Sequence, residues 1–380
     1  MPAMTLLYLV AGEASGDALG ARLMRAIASS RPQTRFAGIG GPQMTAQGLC
    51  SLFPLDDLAV MGFLEVVPRL ALLRRRLQQT VEDIAGQRPA IVVTIDSPGF
   101  ALRLLRRIGP LGVKRVHYVA PQVWAWREMR VRHYPGLWDQ LLCLLPFEVD
   151  FFARHGLPAT FVGHPVLESG ADRGDAVRFR ERHGLPGDAR VLTLMPGSRR
   201  SEVARLLPVL GATLERLPPV APVVPVTQSV AEAVYAGTRR WPQLPILITD
   251  AQAKHDAFAA SAAALTKSGT STLELALAGV PMVVTYRVNA LTAAIARRLF
   301  TVRYVSLLNL LTQREVVPEL LQEACTPSRL AAAVTMLLND KAAIARQRVG
   351  FAEALELLRP PLGTPSEAAA AAVLNLLQQP

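Results

Sequence analysis

The sequence predicts an α/β protein made of two parallel-sheet halves in tandem. Short apolar runs suited to buried strands alternate with segments of helical composition, which is typical of a parallel sheet covered on both faces. The pattern stops between Pro165 and about Gly187, where charged residues crowd in, and then resumes. With 380 residues, the chain is also long for a single hydrophobic core. Together these observations predict two similar domains, followed by a helical region after Pro327.

The expected organisation has three parts. Residues 1–168 form an N-terminal Rossmann-like domain and residues 169–340 a second one. Residues 341–380 form C-terminal helices that pack back across the domains, where the Ala-rich segment is expected simply to pack. The cleft between two such halves is the natural place for a ligand.

Each half has its own series of predicted elements. In the first half the expected strands are Leu6–Ala11, Arg35–Ile39, Ala90–Ile95, Arg115–Val119, Gln140–Leu144 and Thr160–Val162, with helices over Ala18–Ala28 and Leu64–Ala85. In the second half the expected strands are Val191–Met195, Val223–Val226, Pro245–Ile248, Ala262–Thr266 and Met282–Thr285, with helices over about Glu202–Arg216 and Thr272–Ala278.

Composition narrows the class of protein. A hydrophobic fraction of 51% indicates a globular chain, and a net charge of +11 suits anionic partners. No nucleic-acid motif is present, so a phosphorylated substrate or a membrane surface is favoured over nucleic acid. The three cysteines are far apart and the histidines lack ligand spacing, which predicts a reducing compartment and no metal. The N-terminal apolar run reads as a strand rather than a signal peptide, and no stretch reaches the roughly 20 apolar residues of a membrane span.

The loop after the fourth strand of the second half is a candidate anion site. Gly269, Thr270 and Ser271 lie where a strand passes into a helix, and unpaired N–H groups at a helix start favour an anion such as a diphosphate. Ser271 and Glu274 also match an S-x-x-E capping box, which explains both residues without a ligand. The local sequence leaves these two interpretations open.

Asp96 is the most informative carboxylate. It ends a β-branched strand, at the edge where open α/β sheets bind ligands. An acid there suits a general base that takes a proton from a hydroxyl nucleophile. The alternative is an Asx-type turn or an N-cap for the helix after Pro98.

Two further polar turns follow predicted strands. The first contains Glu13, Ser15, Gly16 and Asp17; it lacks the G-x-G-x-x-G spacing and suits hydrogen bonds to sugar hydroxyls, or simply a capped helix start. The second contains Gly197, Ser198 and Arg199, and its guanidinium suits a diphosphate, with a plain surface arginine as the alternative.

Aromatic and basic residues lie together in two places. Trp124 and Trp126 stand just ahead of Arg130 and Arg132, which suits acceptor or membrane-interface contacts or plain packing. The apolar patch 60–64 lies just ahead of a basic cluster, which suits an interfacial amphipathic element or a core-facing helix with a solvated basic edge. That cluster consists of Arg69, Arg74, Arg75 and Arg76.

Taken together, the motifs resemble the lipid-A-disaccharide synthase family. The matching segments are AGEASGD (11–17), AVMGFLEV (59–66), TIDSPGF (94–100), HYVAPQVWAWR (117–127), LPFE (145–148), VGHP (162–165), MPGSRRSEV (195–203), SGTSTLE (268–274), PMVVTYR (281–287) and YVSLLNLL (304–311). The resemblance runs from near residue 6 to the last helices, and it is the combination of AGEASGD, VWAWR and PGSR that makes it specific.

This resemblance implies the GT-B fold and an inverting glycosyltransferase without a cofactor. The implied substrates are UDP-2,3-diacylglucosamine and 2,3-diacylglucosamine 1-phosphate, and the implied location is the cytoplasmic face of the inner membrane, held peripherally on its anionic surface. A homodimer is compatible with the family but not fixed by the sequence. Asp96 takes the place of the essential carboxylate and Arg199 that of the essential arginine. The implied substrate-binding residues are Glu13, Ser15, Gly16, Asp17, Gly197, Ser198, Gly269, Thr270, Ser271, Glu274 and Asn309.

Two positions depart from the family pattern, and two other functions stay open. Leu308 stands where many members have Pro, and Lys267 stands where a small residue is more usual. Lys267 would add a cation near the phosphates or extend to solvent. A UDP-sugar epimerase shares the architecture but needs no lipid acceptor. A non-catalytic nucleotide-responsive protein at the membrane surface would bind UDP and form no disaccharide.

Overall fold

The fold consists of two compact α/β units. The computed structural model describes residues 5–58, 63–289 and 302–378, without the side chains of residues 63–68. By its internal contacts the chain divides into Met1–Pro165 with Leu358–Pro380, and Val166–Leu357. Each unit contains a six-stranded sheet in which neighbouring strands are parallel. The predicted fold class, two tandem Rossmann-like parallel-sheet halves, is therefore confirmed.

The secondary-structure elements follow the predicted order, with boundaries that differ by a few residues. The strands are β1 Leu6–Ala11, β2 Arg35–Ile39, β3 Ile91–Ile95, β4 Lys114–Tyr118, β5 Gln140–Cys143, β6 Ala159–Phe161, β7 Val191–Met195, β8 Ala221–Pro225, β9 Ile246–Ile248, β10 Ser261–Lys267, β11 Met282–Tyr286 and β12 Glu319–Leu321. The α-helices in the described ranges are α1 Ala14–Ser30, α2 Pro42–Thr45, α3 Phe63–Gln87, α4 Pro98–Ile108, α5 Pro146–Ala153, α6 Ala176–Arg182, α7 Arg200–Leu214, α8 Ala231–Thr238, α9 Ala251–Ala260, α10 Ser271–Leu277, α11 Leu307–Thr312, α12 Pro327–Asn339, α13 Lys341–Leu357 and α14 Pro365–Gln378.

The apolar strand runs arise because both faces of each sheet are covered. In β1, Tyr8 and Val10 belong to the core on one face, while Leu7 and Leu9 belong to the core on the other. All four are at most 2% exposed. In a strand that is buried on both faces, every side chain points into a core. Its sequence is therefore a continuous apolar run instead of an alternation of apolar and polar residues.

The strand order places one switch point in each sheet. The first sheet runs β2-β1-β3-β4-β5-β6, and the second runs β12-β11-β10-β7-β8-β9. The chain therefore adds strands first on one side and then on the other, between β1 and β3 in the first unit and between β7 and β10 in the second. In open α/β sheets, ligands bind outside the carboxyl ends of the strands at such a switch point.

The C-terminal helices belong to different units. Helix α13 lies in the second unit, whereas α14 lies in the first. The small side chains of Ala369 and Ala370, with Val373, pack into the core on one face of the first sheet. This explains the Ala-rich composition of α14 by packing. The predicted boundaries at 168/169 and 340/341 stay predictions.

His117 is a buried histidine that makes stability depend on pH. It lies on β4, with Nδ1 2.8 Å from Thr94 Oγ1 and its ring stacked 5.9 Å from that of Trp138. Burial lowers the pKa of His117 to about 4. An unfolded histidine titrates near pH 6.5, so between about pH 6.5 and 4 the unfolded chain binds a proton that the fold excludes. The free energy of unfolding therefore falls as the pH drops through that window, by about 3 kcal/mol.

Urea unfolding of a His117→Gln variant between about pH 7 and 5 tests this linkage. Burial raises the pKa of Glu148 to about 7, which acts with the opposite sign, so the informative quantity is the difference between variant and wild type. We expect that difference in the free energy of unfolding to shrink as the pH falls. Exposed His133, replaced in the same way, serves as the control. A difference that stays constant with pH would contradict the assignment.

Candidate active site

Two loops touch at the switch point of the first unit, and glycines make the contact possible. A Cβ atom added at Gly12, after β1, would lie 2.3 Å from Cβ of Ser97, after β3. One added at Gly16 would lie 3.2 Å from the carbonyl oxygen of Ile95, at the end of β3. The small residues of the β1–α1 loop therefore bring it against the strand end that carries Asp96.

The backbone at that strand end is strained. Asp96 has φ 54° and Ser97 has φ 46°, and at the end of neighbouring β4 Val119 has φ 80°. Left-handed conformations in residues other than glycine cost on the order of 1–3 kcal/mol each and concentrate at functional sites. In this conformation the Asp96 side chain reaches Ser15 of the β1–α1 loop.

The Asp96 carboxylate is half-buried and held by two donors. Its Oδ1 accepts a hydrogen bond of 2.8 Å from the Ser97 N–H, and its Oδ2 accepts one of 3.3 Å from the Ser15 hydroxyl. The alternative in which Asp96 caps α4 is wrong, because Ser97 occupies the N-cap position. Asp96 and Ser15 are thus in contact, and the carboxylate is oriented rather than consumed by a helix cap.

Gly16 and Asp17 have structural roles here. Asp17 is 3% exposed, and its carboxylate accepts hydrogen bonds from the N–H groups of Gly41, Gln43 and Met44, at the start of α2. It therefore caps a helix distant in sequence. Glu13 is the N-cap residue of α1, and its carbonyl accepts the Asp17 N–H. The sugar contacts predicted for these residues stay predictions.

A substitution at Gly12 tests the importance of its close contact with Ser97. Gly12→Ala would force the two loops apart, because its Cβ has no room beside Ser97, and overpacking of this kind costs about 1–3 kcal/mol. We expect lower turnover with a lower melting temperature. Gly86→Ala is the matched control, since a Cβ there meets nothing within 4 Å. Wild-type turnover in the Gly12 variant would show that the contact does not position Asp96.

At the switch point of the second unit, the turn after β7 carries the predicted arginine. Gly197 has φ 112°, a conformation that favours glycine. The Ser198 carbonyl accepts a hydrogen bond from the Ser229 hydroxyl. Arg199 is the N-cap residue of α7, and its side chain is 66% exposed. This turn therefore presents a cation at the carboxyl edge of the sheet.

Sequence reasoning missed Glu202, which links the two loops of this switch point. Its carboxylate lies 3.9 Å from the Arg199 guanidinium and 3.2 Å from the Lys267 ammonium at the end of β10. Its position within the MPGSRRSEV segment was the available signal, but its burial depends on the packing of β7 beside β10.

The turn after β10 differs from the prediction in how helix α10 begins. The N-cap of α10 is Thr270, which lacks a side-chain cap, and Ser271 is already helical, so the expected Ser271–Glu274 capping box is wrong. Gly269 has φ 154°. Glu274 instead pairs with Lys254 of α9, whose ammonium lies 2.9 Å and 3.0 Å from the two carboxylate oxygens.

Asn309 is a buried structural residue. It is 0% exposed, its Oδ1 accepts the N–H groups of Val316 and Val317, and its amide donates to the Val317 carbonyl and to Glu319. These four bonds use the full capacity of the side chain. The Asn309 side chain therefore has no hydrogen-bonding group left for a direct nucleotide contact.

The aromatic and basic segments divide into buried and exposed parts. Trp124 Nε1 donates to the buried Glu148 carboxylate, whereas Trp126 is exposed with Arg127 over its ring at 3.7 Å. In the patch predicted at 60–64, residues 60–62 and the side chains of 63 and 64 lie outside the described residues. Arg76 forms an ion pair of 2.6 Å with Asp57, and this pairing gives it a structural role.

The described ranges 5–58, 63–289 and 302–378 contain no cluster of three or more His, Cys, Asp or Glu side chains arranged to hold a metal ion. Among the helices in the same ranges, none combines the length and hydropathy that crossing a bilayer requires.

Several solved structures share the fold of this chain. The calicheamicin glycosyltransferase CalG4 is similar with a TM-score of 0.60 and 17% identity, over 100% of this chain and 99% of that one. The UDP-GlcNAc 2-epimerase of Neisseria meningitidis, bound to UDP-GlcNAc, is similar with a TM-score of 0.64 and 10% identity, over 99% and 100%. At these identities the likeness shows the fold alone, which is GT-B.

The sequence comparisons are more specific. The family model described as lipid-A-disaccharide synthetase matches residues 7–373. The lipid-A-disaccharide synthase of Gluconobacter oxydans is 58% identical over 99% of this chain and 91% of that protein. The chain belongs to the lipid-A-disaccharide synthase family. It is accordingly a glycosyltransferase of lipid A biosynthesis, as the resemblance predicted.

Proposed function

We propose that this enzyme transfers 2,3-diacylglucosamine from its UDP conjugate to 2,3-diacylglucosamine 1-phosphate. The products are the β-1,6-linked disaccharide 1-phosphate and UDP. Family membership supports synthesis of the lipid A disaccharide. The observation that carries the mechanism is Asp96, which lies at the switch point of the first sheet on a strained backbone with its carboxylate held by Ser15 and Ser97.

The proposed reaction is a single displacement with inversion. Asp96 takes the proton of the acceptor 6-hydroxyl as its oxygen attacks the anomeric carbon. The bond from that oxygen to C1 forms while the bond from C1 to the UDP oxygen breaks. Because the donor is α-linked to UDP, attack from the opposite side gives a β-linked product.

The second unit supplies the groups that suit the departing UDP. Arg199 and Lys267 lie at the carboxyl ends of β7 and β10, and cations there offset the charge that develops on the diphosphate. Gly269, Thr270 and Ser271 form the turn beside them. Glu274 is the proposed ribose ligand, since each carboxylate oxygen accepts more than one hydrogen bond and Lys254 supplies one to each.

The acyl chains and the membrane are assigned to the segment around α3. Arg69, Arg74 and Arg75 are exposed on this helix, which suits an anionic lipid surface. The apolar patch 60–64 precedes them in sequence. In this proposal the enzyme rests on the cytoplasmic face of the inner membrane while the acceptor lipid is engaged.

Omission of the acceptor distinguishes the proposed transferase from its alternatives. Purified protein is incubated with UDP-2,3-diacylglucosamine, with and without 2,3-diacylglucosamine 1-phosphate, and the products are identified by mass spectrometry and NMR. We expect UDP and a disaccharide only with acceptor, in the presence or absence of a chelator. An epimerised UDP-sugar formed without acceptor would identify an epimerase, and UDP binding without turnover a non-catalytic protein. Loss of activity with chelator would contradict displacement without a metal.

A further inference from the structure

Glu202 is a buried carboxylate to which the proposed reaction assigns no role. It is the third residue of α7 and is 4% exposed. Within the described residues, neither carboxylate oxygen accepts an aligned hydrogen bond. The Lys267 ammonium at 3.2 Å is an ion-pair contact without hydrogen-bond alignment. A charge removed from water in this way is costly unless cations compensate it.

The chain is built to keep that carboxylate at the site. A Cβ atom at Gly197 would lie 2.4 Å from Glu202 Oε2, so the turn that precedes Arg199 closes directly over the acid. Position in the first turn of α7 adds the favourable field of a helix N-terminus. The Glu202 side chain therefore packs directly beneath the turn that carries Arg199.

The two cations around Glu202 differ in how firmly they are held. Lys267 has a side-chain exposure of 23% and also lies over the Tyr286 ring, 5.8 Å from its centroid. Arg199 is 66% exposed and lies at the outer limit of an ion pair, 3.9 Å from Glu202. Buried Glu202 thus lies near two cations, the more buried Lys267 and the more exposed Arg199.

Charge in this cluster extends to the next strand. Burial is the largest cause that raises the pKa of Tyr286, and the negative charge of Glu202 adds to it, while Arg199 and Arg205 act in the opposite direction. Tyr286 ends β11, so the cluster spans the carboxyl ends of β7, β10 and β11. Two cations, Lys267 and Arg199, against one acid leave the cluster with an excess positive charge, which suits the proposed diphosphate.

We propose that Glu202 is a positioning residue that orients Lys267 and Arg199 for the donor diphosphate, and that Lys267 binds this diphosphate directly. This inference rests on the proposed function. Before the donor arrives, the acid compensates part of the charge of the two cations and holds them at the sheet edge. When the diphosphate binds, both cations turn part of their interaction to it from positions already set.

The informative change is Glu202→Gln, which keeps the shape and removes the charge. We expect kcat to fall about 10- to 100-fold, because misplacement of catalytic cations by an ångström has effects of that size. UDP affinity, measured by calorimetry, should be unchanged or higher, since a negative charge beside the phosphates is gone. If Glu202 had only a structural role, Glu202→Gln would lower the melting temperature and leave the kcat of the folded fraction unchanged. That result would overturn the proposal.

The pair Glu202→Gln and Lys267→Met tests whether the acid acts through the lysine. Residues that act as a unit are non-additive, so the double variant should lose less in kcat than the product of the two single losses. Strictly multiplicative losses would overturn the positioning role. Exposed Glu215→Gln, near the other end of α7, is the control for the charge change.

Binding of UDP alone separates failure of this inference from failure of the proposed function. Absence of disaccharide with the wild-type protein would refute the proposed transfer. Lys267→Met should still weaken UDP binding about tenfold, the usual size for loss of one charge-assisted contact, whereas unchanged affinity would refute the lysine contact. Exposed Lys341→Met is its control. Where Glu202→Gln does not fold, Lys267→Met still decides the lysine contact by UDP affinity, and Glu202→Asp, which keeps the charge but draws it back by one methylene, decides the positioning role: an unchanged kcat in the folded Asp variant would overturn it.

Discussion

Asp96→Asn is expected to lower kcat by about 10²–10⁴-fold, the usual contribution of a general base. Asparagine keeps an oxygen for the Ser97 N–H and tolerates the left-handed backbone of φ 54° better than most residues. The change therefore removes the proton acceptor and leaves the loop in place. UDP affinity should remain at the wild-type value, because the assigned role of Asp96 concerns the acceptor hydroxyl.

Asp150→Asn is the matched control, since Asp150 is an exposed acid of the same unit, on α5. It should leave both kcat and UDP affinity at wild-type values. Asp96→Asn with undiminished turnover would remove Asp96 from the role of base. A parallel loss of UDP affinity and kcat would instead place its carboxylate in donor binding.

The second large effect is expected at Arg199. Arg199→Ala should lower kcat/KM by about 10²–10³-fold, the range seen when one group that stabilises developing negative charge is removed. Unlike Asp96→Asn, it should also weaken UDP binding, because the proposed role of the guanidinium includes contact with the diphosphate before and during the reaction. Arg199→Lys should recover part of the loss, since the charge is retained but the two-pronged geometry is lost.

Arg216→Ala provides the comparison for Arg199, because Arg216 lies just beyond the end of α7 and its side chain is 50% exposed. Steady-state kinetics and calorimetry with UDP measure the two variants side by side. Equal behaviour of the two would mean that Arg199 is an ordinary surface arginine.

The sequence was sufficient to predict the features set by local pattern. Buried parallel strands have a recognisable composition, and polar residues after such strands mark the carboxyl edge of a sheet. These signals mark Asp96 and Arg199 as site candidates, each beside a plain structural alternative. The strand order in the two sheets adds that both residues follow strands at switch points, which the sequence pattern does not show.

Features that depend on distant partners could not be predicted from local sequence. Asp17 caps α2, a helix that starts 25 residues later, and Glu202 meets Lys267 only because β7 and β10 are neighbours in the sheet. The same limit explains the error at Ser271. Its S-x-x-E pattern is a genuine helix-start signal, but the helix begins one residue too early for it, and Glu274 pairs with Lys254 instead.

Anomeric configuration is the most direct test of the central claim, that the enzyme joins two diacylglucosamine units by single displacement. The purified protein is given UDP-2,3-diacylglucosamine and 2,3-diacylglucosamine 1-phosphate, and the new linkage is assigned by NMR from the coupling between the anomeric and C2 protons. The account predicts a β-linked disaccharide 1-phosphate, with the large coupling of diaxial protons, and one UDP released for each linkage formed. An α-linked product would contradict single displacement, and the absence of any disaccharide would contradict the transfer itself.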